Sequence, residues 1–363
     1  MMKVLVIGDP LLSSEKLKQA VVSSLGDRVE VVCVDWKPAN DEEFWYLRSM
    51  VEKHGPSVGK PPEEIYDLVG DVQLIITQHT PINAEIIARA KACAAIGVCR
   101  AGVENIDVQA ATAQQIAVFN TMGRNAQAVS DFTIGLMIAE MRNIARSHAE
   151  LKQGNWKKQY ANADFVGDLY EKTIGLVGFG YIGQVVAKKL QGFDVDLLVY
   201  DPYASQETIE SCGCKKVSLE ELCRHSDMIS MHARLSEDTR GLIGEKEFAL
   251  MKPTAYIVNT ARAGLIDEQA LVNALKEQKI GGAALDVFWV EPPPHDHPLI
   301  RLDNVTITPH LAGSTKDAFG RTPFLLLAEI RRTIVEGNPR WVVNLGDLPA
   351  ELNDQLAKFA SQL

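Results

Sequence analysis

Three ionisable side chains stand in equivalent places along the chain, each a few residues past a short apolar run. Arg262 follows Tyr256–Val258 through Asn259-Thr260-Ala261, Glu291 follows the run ending Asp286-Val287, and His310 follows Val305–Thr308 and Pro309. Their types divide the labour of a proton transfer. A histidine titrates near neutrality and can give or take a hydroxyl proton. A carboxylate beside it orients the ring and favours its protonated form. A guanidinium can clamp a carboxylate by two hydrogen bonds and polarise the adjacent carbonyl. Together they suit hydride chemistry at a carbon that bears a hydroxyl or keto group next to a carboxylate. Taken singly, each has a plainer alternative: a loop ion pair for Arg262, a solvated residue before Pro292-Pro293-Pro294 for Glu291, and a residue leading into a helix for His310.

A second signal lies upstream. Ile174-Gly175-Leu176-Val177 reads as a strand running into Gly178-Phe179-Gly180-Tyr181-Ile182-Gly183, with a helical pattern through Val185, Val186 and Leu190 beyond it. In such a turn Gly178 allows the tight bend, Gly180 lets a pyrophosphate approach the backbone, and Gly183 lets helix and strand pack closely. The helix N-terminus then holds phosphate without a lysine. A further strand, Leu197–Tyr200, ends in Asp201, 18 residues after Gly183. A carboxylate there accepts from the ribose hydroxyls of the adenosine and repels a 2′-phosphate, which points to NAD rather than NADP. Without that second feature the glycines would be only a strand–helix turn, and Asp201 alone would be a turn-opening residue before Pro202.

These residues need strands to carry them. Runs rich in Val, Ile and Leu at Val4–Ile7, Val29–Val34, Gln73–Thr77, Ala94–Val98 and Ala117–Phe119 alternate with stretches of helical period. The pattern repeats at Ile174–Val177, Leu197–Tyr200, Met228–Met231, Tyr256–Val258, Ala283–Val287 and Val305–Thr308. Such runs predict strands buried on both faces, with spacers long enough for crossover helices. The result is two successive parallel α/β units. In a parallel sheet all carboxyl ends lie on one edge, where the ligand crevice opens, so Arg262, Glu291 and His310 should gather there. Asn120-Thr121-Met122-Gly123-Arg124-Asn125 is a turn-rich boundary, followed by one long helix from about Ala126 to Asn155; Leu311 to Thr315 is a second crossing, and Phe324–Val335 has an amphipathic helical pattern. Two crossings at one waist predict a hinge with a cleft between the lobes.

Composition removes other classes. The formal charge of −10 argues against broad nucleic-acid or anionic-membrane binding, so no nucleic acid and no membrane partner is expected. The apolar start is cut short by Asp9-Pro10, too soon for a signal-peptide core, and the stretch Phe132–Ala139 is too short to span a bilayer. Six cysteines in a chain of this length form no disulfide scaffold, and Cys212-Gly213-Cys214 lacks zinc-site spacing. A cytoplasmic protein is expected. His295-Asp296-His297 has no evident third ligand, so no metal is expected. Gln78-His79-Thr80-Pro81 could face the cleft or serve as a cap, and Phe44-Trp45-Tyr46 reads as a helix packing face. Arg100 and Arg124 could meet a substrate phosphate or be ordinary surface charges.

With these residues in view, the chain resembles the NAD-dependent D-isomer-specific 2-hydroxyacid dehydrogenases. The matching blocks are Gly175–Gly183, Asn259–Asp267, Ala284–Phe288 with Glu291-Pro292, and Thr308–Ser314, with a fainter match from Asn120 to Thr133. The resemblance is strong over about residues 95 to 315 and weak in the first 70. It implies an α/β fold of two doubly wound parallel-sheet domains: a Rossmann nucleotide-binding domain (121–315) inserted in a flavodoxin-like substrate domain (1–120 with 316–345), then a tail (346–363). It implies that Arg262, Glu291 and His310 are the catalytic set. It implies that NAD is held by Gly178, Gly180, Tyr181, Ile182, Gly183, Asp201, Pro202, His232, Thr260, Ala261, Asp286 and Gly313, with Asp286 on the nicotinamide carboxamide; a strand-end turn residue is the alternative for Asp286. Arg100, Ala101, Gly102, Val103 and His79 would meet a small 2-hydroxy or 2-keto acid. A homodimer through the nucleotide domain is implied, with the helix around Val129–Arg142 at its interface. The chain departs from the family pattern where Glu104-Asn105-Ile106-Asp107 is shorter than usual and where Arg234 replaces a frequent proline. Glu291 stands where formate dehydrogenases of the family carry Gln. A dinucleotide-sensing scaffold, like the corepressors of the same superfamily, is the competing function.

Overall fold

The computed structural model describes residues 2–26, 29–337 and 339–348. Each run read above as a strand contains one, and the chain divides into two units, Met1–Arg124 with Lys316–Leu363, and Asn125–Thr315.

Unit 1 is built on β1 (Met2–Gly8), β2 (Val29–Asp35), β3 (Leu74–Thr77), β4 (Ala95–Val98) and β5 (Ala117–Phe119), all parallel in the order β2-β1-β3-β4-β5. This is the flavodoxin-like order. Both faces are covered. One core gathers Val4, Val6, Leu74 and Phe119 with Leu17 and Val21; the other gathers Leu5, Ile7, Ile75 and Ile96 with Ile86 and Ile87. The expected amphipathic helix runs Lys316–Glu336 and buries Leu326, Leu327 and Ile330 in the first of these cores. The chain then covers the free edge of β5: Asn120 N–H donates to Trp341 O, Val343 N–H to Val118 O, and buried Asn344 bonds to Val118, Thr112 and Ile116. Of the tail expected from residue 346, positions 349–363 lie outside the described residues.

Unit 2 holds β6 (Thr173–Val177), β7 (Asp196–Tyr200), β8 (Lys215–Lys216), β9 (Met228–Met231), β10 (Tyr256–Asn259), β11 (Gly282–Leu285) and β12 (Val305–Ile307), all parallel in the order β12-β11-β10-β9-β6-β7-β8. The order reverses between β6 and β9, which is where ligands bind in such sheets.

The single long helix expected from Ala126 is instead two, Ala126–Met141 and Ile144–Lys152. Asn143 between them adopts the left-handed conformation (φ 57°), which Asn tolerates better than most side chains. Its amide donates to Asn162 and accepts from Arg146, and Arg146 also pairs with Glu140. Glu140 is buried and accepts from Thr306 Oγ1 as well (2.6 Å), pinning the helix end to β12. In Phe44-Trp45-Tyr46 only Phe44 packs inward; Trp45 and Tyr46 are exposed.

Candidate active site

At the carboxyl edge of the unit 2 sheet, β10 ends in Asn259, whose buried side chain shapes the next turn. Its Oδ1 accepts from Ala261 N–H (3.0 Å) and its Nδ2 donates to Arg262 O (2.9 Å). The Thr260 hydroxyl meets Thr133 Oγ1 at 2.7 Å. Because the Thr133 proton is spent on Val129 O (2.7 Å), Thr260 is the donor. The turn is therefore tied on both sides, and Arg262 projects from it with its guanidinium exposed.

Glu291 and His310 meet as their positions imply. His310 Nδ1 lies 2.8 Å from Glu291 Oε2, while Glu291 Oε1 accepts from Phe288 N–H at 3.0 Å. Burial pulls the Glu291 carboxyl upward. The hydrogen bonds from His310 and Phe288, with the charges of His310 and Arg262, outweigh it and hold the group below its usual range. With Nδ1 committed to the carboxylate, the Nε2 atom of His310 is the one left to face a ligand.

His310 has a left-handed backbone (φ 57°), and Asp286 secures the loop that bears it. Asp286 is fully buried. Its Oδ1 accepts from Thr308 Oγ1 (2.6 Å) and Leu311 N–H (2.9 Å), and its Oδ2 from Ala312 N–H (2.8 Å). Three donors hold the buried carboxylate in this position.

The glycine turn fits a dinucleotide. Gly178 has φ +96° and abuts the backbone of His232 and Ala233, so a side chain there would be strained and would collide. Gly183 lies against the Gly178 carbonyl, where a Cβ would clash. Gly180 caps the helix Tyr181–Leu190, and the space over its α-carbon is open. Tyr181 is exposed and Ile182 half-buried on the first helical turn. Asp201 Oδ2 accepts from Phe179 N–H (2.6 Å) and Oδ1 from Tyr203 and Ala204 N–H (2.8 and 2.9 Å), so the carboxylate braces the glycine turn and retains acceptor capacity. Pro202 is exposed beside it, Ala261 half-buried, and Gly313 closely faces the Asn125 amide.

Both ring nitrogens of His232 are buried without a hydrogen-bond partner among the described residues, and burial lowers its pKa from 6.5 to about 4. An unmet buried imidazole at this edge is consistent with a partner that arrives with the dinucleotide. The folded value lies below the free one, so the stability this creates is whole above pH 6.5 and is lost as pH falls through 4, about 3 kcal/mol in all. Thermal melts of the ligand-free protein should fall across that window, and His232→Asn should flatten the slope. An unchanged slope in the variant would contradict the assignment.

Unit 1 treats its expected substrate residues unevenly. The 100–103 loop is fixed through its carbonyls: Arg100 O accepts from Thr121 N–H, Ala101 O from Asn120 Nδ2, and Val103 O from Ile106 N–H. The Glu104 carboxylate crowds Gly102, and Arg100 is paired with Glu104 and Glu52, both at 3.0 Å. His79 is sealed rather than open. It is buried against Phe44, with its N–H and Nδ1 on Asp9 Oδ2. Burial lowers its pKa against the pull of Asp9. His297 is likewise occupied: Nδ1 accepts from Leu299 N–H, which leaves the proton on Nε2 to meet Glu268 at 2.9 Å. Neither Asn nor Thr announces a loop-holding bond in sequence, so the roles of Asn259 and of the Thr133–Thr260 pair become visible only in the structure.

A family model described as D-isomer specific 2-hydroxyacid dehydrogenase, NAD binding domain, matches residues 134–312. The D-3-phosphoglycerate dehydrogenase of Methanocaldococcus jannaschii is 41% identical over 306 residues, 84% of this chain and 57% of that protein. The hydroxypyruvate reductase of Thermotoga maritima is 38% identical over 296 residues, 81% of this chain and 95% of that protein. A solved glyoxylate reductase from Paecilomyes thermophila aligns with a TM-score of 0.66 at 30% identity, covering 95% of this chain and 99% of that one. The chain spans about half the length of the D-3-phosphoglycerate dehydrogenases it matches. The reductase is matched almost end to end, and with the site geometry this places the chain in the family of D-isomer-specific 2-hydroxyacid dehydrogenases.

Proposed function

We propose that the protein interconverts a D-2-hydroxy acid and its 2-keto acid with NAD(H). The observation that carries this is the 2.8 Å contact between His310 Nδ1 and Glu291, with the Arg262 charge acting on the same carboxylate. The dinucleotide, when bound, supplies or accepts the hydride. His310 Nε2 delivers the proton to the carbonyl oxygen during reduction and takes it back during oxidation. Glu291 holds the ring in place through Nδ1. Arg262 holds the substrate carboxylate and draws electron density from the neighbouring carbonyl. The related enzymes named above fit this reading, since their names denote small 2-hydroxy or 2-keto acids as substrates.

The test is a panel of 2-keto acids with NADH and, separately, NADPH, followed by loss of reduced-cofactor absorbance. Oxidation of NADH by at least one acid, with NADPH clearly poorer because of Asp201, is the expected result. Tight NADH binding with no oxidation by any acid would replace the enzyme with a sensing scaffold.

A homodimer through unit 2 belongs to the same proposal, with its surface displaced from the one first expected. Val129, Leu136 and Met137 are buried inside the unit itself, whereas Ile144, Leu151, Val166, Tyr170 and above all Trp156 (78% exposed) present apolar surface nearby in sequence. Light scattering should give twice the 39.9 kDa chain mass; a monomer at micromolar concentration would sink it. The six free thiols fit a reducing cytoplasm.

A further inference from the structure

Glu291 sits on a strap, residues 287–297, that holds neither helix nor strand and runs through Pro292-Pro293-Pro294. Its side chain is 39% exposed, and the His310 side chain it meets is 49% exposed. An ion pair so open to water contributes too little to hold an irregular segment in one conformation. A proton donor and its partner must nevertheless be fixed to within about 0.5 Å. Something besides the pair therefore holds the strap.

The strap is fastened at two points, and both reach the same base. Near its start, Trp289 Nε1 donates to Ile266 O (3.1 Å). At its far end, His297 Nε2 donates to Glu268 Oε1 (2.9 Å), and the His297 ring meets the Phe288 ring edge to face, with centroids 6.0 Å apart. Phe288 is the residue whose N–H donates to Glu291 Oε1 (3.0 Å). Contact thus runs unbroken from Glu268 through His297 and Phe288 to Glu291 and His310. The base is rigid. Ile266 is buried and bridges to Ile243, and the helix Glu268–Lys276 buries Leu271, Val272, Ala274 and Leu275. Arg262 lies in the same segment, four residues before Ile266. One base therefore carries the guanidinium directly and the carboxylate through the strap. The His297 side chain is only 10% exposed, so it is placed to brace the strap and not to meet a substrate.

We propose that His297 is a positioning residue for the proton transfer: held by Glu268, its ring backs Phe288 and so sets where Glu291 meets His310 Nδ1. The consequence for turnover rests on the dehydrogenase reading above; the consequence for the His310 ring does not.

The experiment compares native protein with Glu268→Ala, Glu268→Gln and His297→Leu, using NADH with glyoxylate, pyruvate and hydroxypyruvate. Glu268→Ala and His297→Leu should each lower kcat by about tenfold. KM for the keto acid and the Kd for NADH should stay within about twofold, because Glu291 acts on the proton and on neither ligand. Glu268→Gln still accepts from His297 Nε2–H and should recover most of the loss. In a Glu291→Ala background, adding Glu268→Ala should cost less than about twofold more, since the path then ends at Phe288. A native kcat in Glu268→Ala overturns the proposal, as does a full tenfold loss in the Glu291→Ala background. Glu268 is half-exposed, so its variants decide even if His297→Leu fails to fold.

A second reading needs no turnover. Spectra of ligand-free protein labelled with 15N-histidine, at mildly alkaline pH, report which ring nitrogen bears the proton, and His310→Asn identifies the His310 signal. Native protein should carry it on Nδ1, and Glu268→Ala should move part of the population to Nε2. If native protein reduces none of the acids, the dehydrogenase reading fails separately. The spectra then decide alone: a His310 tautomer unchanged by Glu268→Ala overturns the positioning role, and a shifted one supports it.

Discussion

His310→Ala lowers kcat by about 1,000-fold while the Kd for NADH stays within about twofold. The imidazole sits on the far side of Asp286 from the glycine turn in sequence, and none of the bonds that shape Gly178–Gly183 or Asp201 involves it. Removing it deletes the proton donor and leaves the dinucleotide site intact. Alanine in a left-handed conformation costs about 1 kcal/mol, so His310→Asn, which tolerates that backbone, is the companion variant. Stopped assays of turnover, with fluorescence titration of NADH, check both halves. Turnover within tenfold of native in both variants would remove His310 from the chemistry. The pH profile adds a signature. Glu291 is held below its ordinary range, so its carboxylate keeps its charge to lower pH than a free glutamate would.

Arg262→Gln is expected to cost about 300-fold in kcat/KM for the keto acid, the scale for removing one partner of a desolvated charge pair. Arg262→Lys should restore little, because a point charge cannot reproduce the planar fork that grips a carboxylate. The loss should be read as function and not as folding. The backbone at 261–262 is held by Asn259 and by the Thr133–Thr260 bond, and among the described residues the guanidinium itself donates only to Ala261 O (2.7 Å). The exposed side chain therefore moves stability by no more than about 0.5 kcal/mol. Kinetics at saturating NADH beside thermal melts separate the two. A large fall in melting temperature with a small fall in kcat/KM would assign Arg262 to structure.

Much of this was legible because buried parallel strands must be written in Val, Ile and Leu, so the apolar runs named the strands and strand ends named the site. What escaped is instructive. β8 is two lysines at the sheet edge, where neither burial nor alternation leaves a trace. The break at Asn143 depends on Glu140, Arg146, Asn162 and Thr306 converging from distant positions, which no local period encodes. His79 could be read as facing a cleft or as a cap, and its pairing with buried Asp9, 70 residues away, is written in no local pattern. Arg100 and Arg124 read alike in sequence, and the ion pairs that occupy Arg100 with Glu52 and Glu104 are visible only in three dimensions.

The grip of Asp286 on both flanks of residue 310 fixes the backbone beneath the His310–Glu291 pair from within unit 2. The pair and its support all lie between Asn125 and Thr315, which makes the reactive centre portable: a different recognition lobe, joined at the same two chain crossings, would inherit a finished acid–base couple.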